Sequence, residues 1–196
     1  MVAHGGSASY DSKVSYIQGY EGGYIDTQCK VDNTSQIDVG FTGENTLMLN
    51  VFGAYDSTSK RITLEPYQGG TITWNNQIWI WGNSSTPRTY TRAFISDNSA
   101  IIFYDNGQSF AKQNIYAAFS ISNNLKLFNT TNSPNPQNNN MKVTYFKVWD
   151  TSTNTLLRDM FPVRVGQVGY MFDNVSGQLF GNANTLGGFN IGTDIT

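Results

Sequence analysis

The sequence predicts an all-β protein built as a two-sheet antiparallel β-sandwich, and three observations carry this prediction. Charged residues make up only 13% of the 196 positions and aromatic residues 14%, a balance typical of strand-rich proteins. Short runs in which apolar and polar residues alternate recur along the chain, as strands with one buried face require. Apolar residues do not keep the spacing of a helix over three turns anywhere, because Gly, Asn and Thr interrupt every candidate.

The predicted strands follow one another at short intervals. In chain order, the runs that indicate them are 37–41, 47–51, 62–64, 77–81, 101–104 and 143–149. The run 143–149 has apolar residues on both of its faces, so we expect this strand to be buried between two layers. Many short strands with frequent turns between them favour a sandwich of the jelly-roll type.

Turn signals separate these runs. The tripeptide Asp-Asn-Gly at 105–107 contains the Asn-Gly pair of a tight hairpin. Residues 130–140, with two prolines among many asparagines, predict a surface loop because the segment is too polar to pack in a core. Near the C-terminus, 170–173 and 175–180 predict a hairpin, and Pro162 predicts a strand end or a sheet edge.

The chain predicts one domain with a short arm. Residues 1–15 are small and polar, and they predict an N-terminal arm that is flexible or docks on a partner. Residues 16–196 predict a single β-sandwich domain, because the stretch after the 130–140 loop is too short for an independent core. Hydrophobic residues are 39% of the chain, which is enough for one core.

The composition excludes several classes of function. The formal net charge is −2 and the pI about 5.2, which does not provide the positive surface that a nucleic acid needs. No window of 18 apolar residues occurs, so we expect no membrane insertion. Cys29 and His4 are each the only residue of their type. One chain therefore lacks the parts of a disulfide, a cysteine zinc site or a histidine-based triad.

Two stretches of the sequence resemble a known family. The first is YIQ at 16–18 followed by EGGYIDT at 21–27, and the second runs from 142 to 182. The second stretch contains YFKVWD at 145–150, LRDMFPV at 157–163, GYMFD at 169–173 and Ser176-Gly177, and GGFNIG at 187–192 fits the last strand of the pattern. These motifs resemble the concanavalin A-like, or laminin-G-like, jelly-roll modules common in bacteriophage structural proteins and in surface proteins of gut bacteria. The resemblance implies the fold. It leaves the function open, because this fold hosts lectins, glycosidases, decoration proteins and spacers alike.

The charged residues of the second stretch predict a structural role. Arg158 and Asp159 adjoin inside an apolar run of a chain with few charges. We expect an ordered ion pair, or hydrogen bonds from the guanidinium to carbonyl oxygens, that ties the last strands to the first. Asp173 is assigned to the same structural group.

A tryptophan-rich stretch is the candidate for ligand or partner binding. Trp74, Trp79 and Trp81 lie close together in the sequence, with Asn76 and Asn83 beside them. If the isoleucines that alternate with Trp79 and Trp81 face the core, the two indoles face outward and form a platform for a sugar. Two alternatives remain open: an interface with another subunit or partner, or a role for both indoles in the core.

Patterns for catalysis and metal binding are weak. A glycosidase needs two carboxylates about 5–9.5 Å apart, and the nearest candidates in sequence, Asp38 and Glu44, include one in a predicted turn. Calcium needs roughly six to eight oxygen ligands. The Asp-Asn pairs at 97–98, 105–106 and 173–174 are typical of turns. We expect no enzyme activity and no cofactor, and Ca²⁺ bound by these loops is the alternative to a role in turns.

The family resemblance, together with the missing catalytic groups and the polar N-terminal arm, implies a non-enzymatic phage virion structural protein, a head decoration or fibre protein or a tail appendage, that acts in assembly or in host-surface adhesion. The expected partners are other virion proteins, contacted through residues 1–15, further copies of the chain in a homo-oligomer, and a surface glycan. The alternative is a bacterial carbohydrate-binding or adhesin module at the cell surface or outside the cell. A glycoside hydrolase is the third hypothesis.

Overall fold

The structure is a computed structural model. It describes residues 8–32, 34–42, 50–57, 60–65, 71–74, 77–80, 92–96, 100–105, 108–114, 120–129 and 141–196, and from 65 to 114 it describes the backbone alone. Within these residues every regular element is a β-strand, none is a helix, and the strands pair antiparallel. The prediction of an all-β, antiparallel protein is therefore confirmed.

The described part of the chain contains eighteen strands. In chain order they are β1 (Ser12–Val14), β2 (Ile17–Tyr20), β3 (Ile25–Asp26), β4 (Ser35–Thr42), β5 (Phe52–Ser57), β6 (Lys60–Glu65), β7 (Thr71–Trp74), β8 (Gln77–Ile80), β9 (Arg92–Ser96), β10 (Ala100–Asp105), β11 (Gln108–Asn114), β12 (Lys126–Leu127), β13 (Lys142–Asp150), β14 (Thr155–Val165), β15 (Val168–Asp173), β16 (Gln178–Phe180), β17 (Gly188–Ile191) and β18 (Asp194–Ile195).

These strands form three sheets in the described residues. A nine-stranded sheet contains β1, β2, β4 and β13 to β18, and a six-stranded sheet has the order β3-β12-β5-β6-β7-β8. A three-stranded sheet has the order β11-β10-β9. The backbone of β9 runs close to β4, so the three-stranded sheet lies next to the nine-stranded sheet.

The nine-stranded and six-stranded sheets enclose one hydrophobic core. The rings of Phe146 on β13 and Phe52 on β5 lie 6.1 Å apart between centroids. The rings of Phe128, after β12, and Phe189 on β17 lie 5.9 Å apart. The buried cluster includes Ile17, Ile37, Val39, Phe41, Val143 and Val148 from one sheet and Ile25, Ala54, Ile62, Leu64 and Leu127 from the other. Two sheets around a shared core are compatible with a β-sandwich.

A β-bulge changes which faces of β13 are buried. The pairing of β13 with β4 shifts between Val143 and Tyr145, so that Val143 and Phe146 are both buried on the core side. The side chains of Tyr145, Lys147 and Trp149 are half-buried on the other side. The strand thus has one core face and one partly solvated face, rather than two buried faces.

β14 changes its neighbour at Pro162. Up to Met160 it pairs with β13, from Val163 it pairs with β1, and β15 pairs along its other edge. Proline has no N–H to donate to a neighbouring strand, and the missing donor costs least where one neighbour replaces another. Of the two alternatives that the sequence predicted at Pro162, a strand end is wrong, because the strand continues through this position. The pairing with β13 does end before Pro162, so this edge of β14 has no paired neighbour at the proline itself.

Part of the predicted arm, residues 12–14, forms the strand β1 of the nine-stranded sheet. β1 lies between β14 and β18, and the Asp11 N–H donates to the Arg164 carbonyl at 2.9 Å. The ring of Tyr10 packs edge-on against Phe161, with 5.9 Å between centroids. Residues 1–7 of the predicted arm lie outside the described residues, and docking through them stays a prediction.

Candidate binding groove

An open groove of about 710 Å³ lies on the nine-stranded sheet, on the side facing away from the shared core. It is located where β13 and β14 separate and β1 takes the place beside β14. The groove therefore follows from the change of neighbour at Pro162. Its lining residues are Lys13, Val14, Ser15, Asp38, Thr144, Tyr145, Lys147, Asp159, Met160, Phe161, Pro162, Asn174 and Ile195.

An ion pair lies in the wall of this groove. Lys147 and Asp159 are directly opposite each other on β13 and β14, with 3.1 Å between Lys147 Nζ and Asp159 Oδ1. The Asn174 side-chain amide donates to the other oxygen of Asp159 at 3.0 Å. The Lys147 side chain is 37% exposed, so the pair contributes only about 0–1 kcal/mol to stability. The pair also fixes the positions of the Lys147 ammonium, a hydrogen-bond donor, and of the Asp159 carboxylate, an acceptor.

A second carboxylate lies on the same face, on β4, the other strand that pairs with β13. Asp38 on β4 is also aligned with Lys147, and the Tyr145 hydroxyl donates to Asp38 Oδ1 at 3.1 Å. Burial, followed by the charge and the hydrogen bond of Asp38, raises the pKa of Tyr145 to about 12. The phenol therefore stays protonated, as a hydrogen-bond donor, at physiological pH.

An aromatic wall completes the groove. The Lys13 ammonium lies 4.5 Å from the centroid of the Phe161 ring, a distance at which the cation is attracted to the ring face. Tyr10 supports this ring, and Phe172 packs against both, with 5.1 Å to Tyr10 and 5.5 Å to Phe161 between centroids. The groove thus joins an apolar wall to a row of fixed polar groups.

This arrangement suits binding better than acid–base catalysis. Asp38 and Asp159 align with Lys147 from the two neighbouring strands, which separates their Cα atoms by roughly 10 Å. Asp159 contacts an ammonium and an amide, and Asp38 accepts from a phenol. Glycoside hydrolysis instead needs one carboxylic acid that keeps its proton and one free carboxylate.

The residues predicted as a sugar platform fall mostly outside the described side chains. Trp81, Asn76 and Asn83 lie outside the described residues, and Trp74 and Trp79 are described by their backbone alone. The groove residues described above come from other strands. The use of the tryptophans as a platform, an interface or a core pair stays a prediction.

The strand register of the six-stranded sheet relates the position of Trp79 to the core. Trp79 pairs with Ile72 of β7, which pairs with Leu64 of β6, which pairs with Phe52 of β5. Leu64 and Phe52 both belong to the hydrophobic core. The register therefore aligns Trp79 with a row of core positions in the six-stranded sheet.

Arg158 and Asp159 lie on opposite faces of β14, because successive residues of a strand alternate. The Arg158 guanidinium turns away from the groove and donates from Nε to the Thr27 carbonyl at 2.8 Å and from Nη2 to the Gln28 carbonyl at 3.5 Å. These bonds join β14 to the segment that follows β3. Asp159, in contrast, finds its ionic partner in Lys147 on the groove side.

Asp173 is the fully buried member of this structural group, with 0% exposure. It accepts hydrogen bonds from the Asp159 N–H at 2.8 Å and from the Ser176 hydroxyl at 2.7 Å. The backbone N–H groups of Val175 and Ser176 donate to it at 3.3 and 3.2 Å, and Arg158 Nε lies 3.9 Å away. The carboxylate thus organises the turn between β15 and β16.

The metal-binding candidates give no site in the described part of the chain. The Asp173 carboxylate of the 173–174 pair is surrounded by N–H and O–H donors, which is turn chemistry rather than cation binding. The 97–98 pair and Asn106 lie outside the described residues, and Asp105 is described by its backbone alone. Glu44, the candidate for glycoside hydrolysis, also lies outside the described residues. Among the residues that are described, no group of three His, Cys, Asp or Glu side chains could hold a metal ion.

Sequence analysis missed Lys13, Tyr145 and Lys147 as groove residues. A local signal was available, because the alternation on β13 placed Tyr145 and Lys147 on one side of the strand. The partners Asp38 and Asp159 could not be assigned from that pattern, since they depend on which strands lie on either side of β13.

Comparisons with models of known protein families and with curated proteins found no match to this chain. Within its described residues, the chain forms no helix of the length and apolarity that crossing a membrane takes. The family resemblance of the sequence therefore stays a prediction.

Proposed function

We propose that this chain is a non-enzymatic virion structural protein with a concanavalin A-like jelly roll, acting in assembly or in adhesion to a host surface. The observation that carries the proposal is the groove of about 710 Å³, in which Lys147, Asp159, Asp38 and Tyr145 hold one another in fixed positions. Groups fixed in this way are suited to binding a partner repeatedly without turnover.

The family resemblance supports the same conclusion. The motifs LRDMFPV and GYMFD form β14 and β15, the strands that provide one groove wall and the buried Asp173 carboxylate. Residues that carry the resemblance thus build the frame on which the groove depends. We propose that copies of the chain associate with one another and dock on larger virion proteins.

The N-terminal segment is the proposed docking element. The Ala8 N–H donates to the Gly177 carbonyl at 2.9 Å, which fixes the point from which residues 1–7 continue. We therefore propose that residues 1–7 contact other virion proteins, while 8–15 hold the segment to its own domain.

Mass spectrometry of purified particles, made by a phage that encodes this chain, tests the proposal. We expect the chain in the particles at a fixed ratio to the major capsid or tail protein. Deletion of residues 2–7 should lower incorporation while the purified protein unfolds at the same urea concentration as the wild type. Particles that lack the chain altogether would refute the virion assignment.

A second candidate function is carbohydrate binding by a bacterial adhesin module, and the aromatic and polar lining of the groove favours it. A glycan array with the full chain tests this function. Lys147→Gln should reduce binding if the groove holds the sugar, whereas Trp79→Ala and Trp81→Ala should reduce it if the tryptophan platform does. Lys30→Gln, at an exposed lysine away from the groove, is the matched control. No saturable binding across the array would argue against both sites.

A further inference from the structure

The outward face of the nine-stranded sheet, here called the groove face, carries its side chains in five successive rows across the strands. Every second residue of β14 from Asp159 to Val165 points to this face, because Asp159 and Phe161 line the groove. The strand register places the other members beside them. In order along the sheet, the rows are Trp149 with Gln36 and Leu156, Lys147 with Asp38 and Asp159, Phe161 with Phe172, Val163 with Lys13 and Ile195, and Val165 with Val168.

The second and fourth rows each contain one charge without an ionic partner. Asp38 accepts a hydrogen bond from the Tyr145 hydroxyl, and the Lys13 ammonium lies over the Phe161 ring. Neither Asp38 nor Lys13 forms an ion pair with another described side chain, whereas Lys147 and Asp159 pair with each other. The groove face therefore has a negative charge available on one side of the Phe161 row and a positive charge available on the other.

The first and fifth rows are apolar or aromatic. Trp149 and Gln36 line a small open cavity of about 230 Å³. At the other end, Val165 and Val168, here called the hairpin tip, are 37% and 55% exposed, and Ile195 beside them is 49% exposed. Three of the five large apolar side chains that are exposed in the described part of the chain thus lie at this end. Apolar side chains that are exposed together typically mark an interface.

The order of the rows makes the groove face complementary to itself. Neighbouring rows are two residues apart along a strand, or about 7 Å, so the rows of Asp38 and Lys13 lie at similar distances on either side of the Phe161 row. The rows of Trp149 and of the hairpin tip lie about 13 Å from it, again on opposite sides. In a two-fold dimer, a residue that contacts a second residue of the other copy is matched by the reverse contact. Reversing the row order places positive against negative charge and apolar against aromatic side chains.

We propose that two copies of the chain associate through their groove faces, about a two-fold axis that follows the Phe161 row. Lys13 of each copy pairs with the partner's Asp38, and the hairpin tip of each copy packs into the cavity beside the partner's Trp149. This inference rests on the proposed self-association of the chain and names the surface that carries it.

The size of the groove face determines how strong this dimer is. Five rows across about four strands cover roughly 30 Å by 15–20 Å, so both copies together bury on the order of 1,000 Å². Interfaces of this size are at the low end of specific complexes and are typical of weak association. We therefore expect a dimer that dissociates at micromolar concentrations and that salt weakens, because its charged contacts lie near solvent.

Sedimentation of the full chain at rising protein concentration, at low and at high salt, is the first test. We expect a monomer–dimer equilibrium that shifts to monomer at high salt. A chain that stays monomeric, or one that forms trimers, would overturn the inference, and the groove face would then be open to a glycan or to another virion protein. The virion assignment is tested separately by the particle composition, so a monomeric chain that is still found in particles refutes only the dimer.

Charge reversal tests the contact between Lys13 and Asp38. Lys13→Glu and Asp38→Lys each bring like charges together, and each should weaken the dimer about tenfold or more. An equimolar mixture of the two variants should dimerise again, because every charged contact of the mixed dimer joins opposite charges. Lys30→Glu, at an exposed lysine outside the five rows, is the control for net charge and should behave like the wild type.

Two results of the charge reversal would contradict the inference. The first is a folded Lys13→Glu protein that dimerises like the wild type, which decides the matter even if Asp38→Lys fails to fold. The second is a mixture of two folded variants that remains monomeric.

The hairpin tip is tested by a variant that introduces a charge. Val168→Asp should weaken the dimer about tenfold or more, because it places a carboxylate against the aromatic end of the partner. Leu186→Asp is the matched control, since Leu186 is 64% exposed and belongs to none of the five rows. Equal effects of the two variants would show that the hairpin tip is not part of the interface.

Discussion

The nine-stranded sheet carries one pair of oppositely charged residues on each of its two faces near β14, and the two pairs differ in burial and in hydrogen-bond partners. On the core side, the side chains of Arg158 and Asp173 are 18% and 0% exposed. Arg158 donates to the Thr27 carbonyl, 131 residues away in sequence, and Asp173 accepts from the Asp159 N–H of the adjacent strand. On the groove side, Lys147 and Asp159 are 37% and 22% exposed and bond mainly to each other and to an amide. Burial therefore makes the first pair part of the framework, and exposure leaves the second pair available to a ligand.

The largest expected effect comes from the buried carboxylate. Asp173→Ala leaves the Asp159 N–H and the Ser176 hydroxyl without their acceptor and removes the negative charge beside Arg158. We expect a loss of about 3–5 kcal/mol in the free energy of unfolding, as for other buried charges that lose a partner. Urea denaturation measures it. Asp194→Ala, at an exposed carboxylate, should change little, and equal effects of the two variants would contradict the comparison.

The guanidinium on the same face is the next test. Arg158→Met keeps most of the side-chain volume but removes the bonds to the Thr27 and Gln28 carbonyls. We expect a loss of about 1.5–3 kcal/mol, the contribution of hydrogen bonds to a charged group. Arg164→Met is the matched control, because Arg164 pairs with Asp194 at the protein surface. If Arg164→Met destabilises the protein as strongly, the contrast between buried and exposed arginines fails.

The pKa and the reactivity of the Cys29 thiol test burial on the core side, near Arg158 and Asp173. Burial, modified by the charges of Arg158 and Asp173, raises the pKa of Cys29 from 9.0 to about 11. A pKa raised in the folded state gives stability that is present below pH 9 and is lost between pH 9 and 11. The wild type should therefore lose stability over this window faster than Cys29→Ala. Ellman's reagent should react with the native thiol only as fast as the protein opens, and immediate reaction at pH 8 would contradict its burial.

Tyr145 provides the corresponding measurement on the groove side. Its pKa of about 12 lies above the ordinary value of 10.0, so its contribution to stability is complete below pH 10 and is lost between pH 10 and 12. Absorbance at 295 nm should show one tyrosine that ionises late in the wild type and not in Tyr145→Phe. A decline in stability that is as steep in Tyr145→Phe as in the wild type would mean that the ionisation of Tyr145 does not contribute to it, and would contradict the raised pKa.

The smallest expected effect is that of the exposed ion pair. Lys147→Gln should change the free energy of unfolding by less than about 1 kcal/mol, because exposed ion pairs contribute little. The same variant should change ligand binding in the groove if the groove is used. A large loss of stability would mean that this pair belongs to the framework, as Arg158 and Asp173 do.

Much of the fold could be predicted from local patterns. Alternation over 37–41 and 143–149 indicated strands that the structure describes as β4 and β13. The predicted hairpin near the C-terminus corresponds to β15 and β16. The bulge between Val143 and Tyr145 and the continuation of β14 through Pro162 could not be predicted, because each depends on the neighbouring strands.

The candidate site was less predictable than the fold. The sequence directed attention to the tryptophans at 74–81, while the groove is built from β1, β4, β13 and β14. Tyr145 and Asp38 are 107 residues apart in sequence, and Arg158 and Thr27 are 131 apart. No local pattern links positions at such separations.

By itself, the sequence determined that the chain forms short antiparallel strands with one apolar face, since alternation and turn residues act over a few neighbouring positions. Only the tertiary structure decided that Arg158 supports the framework while Asp159, one residue later, lines a groove. The reason is that the role of a charged side chain depends on its burial and its partners, and both are set by the strands that pair on either side of it.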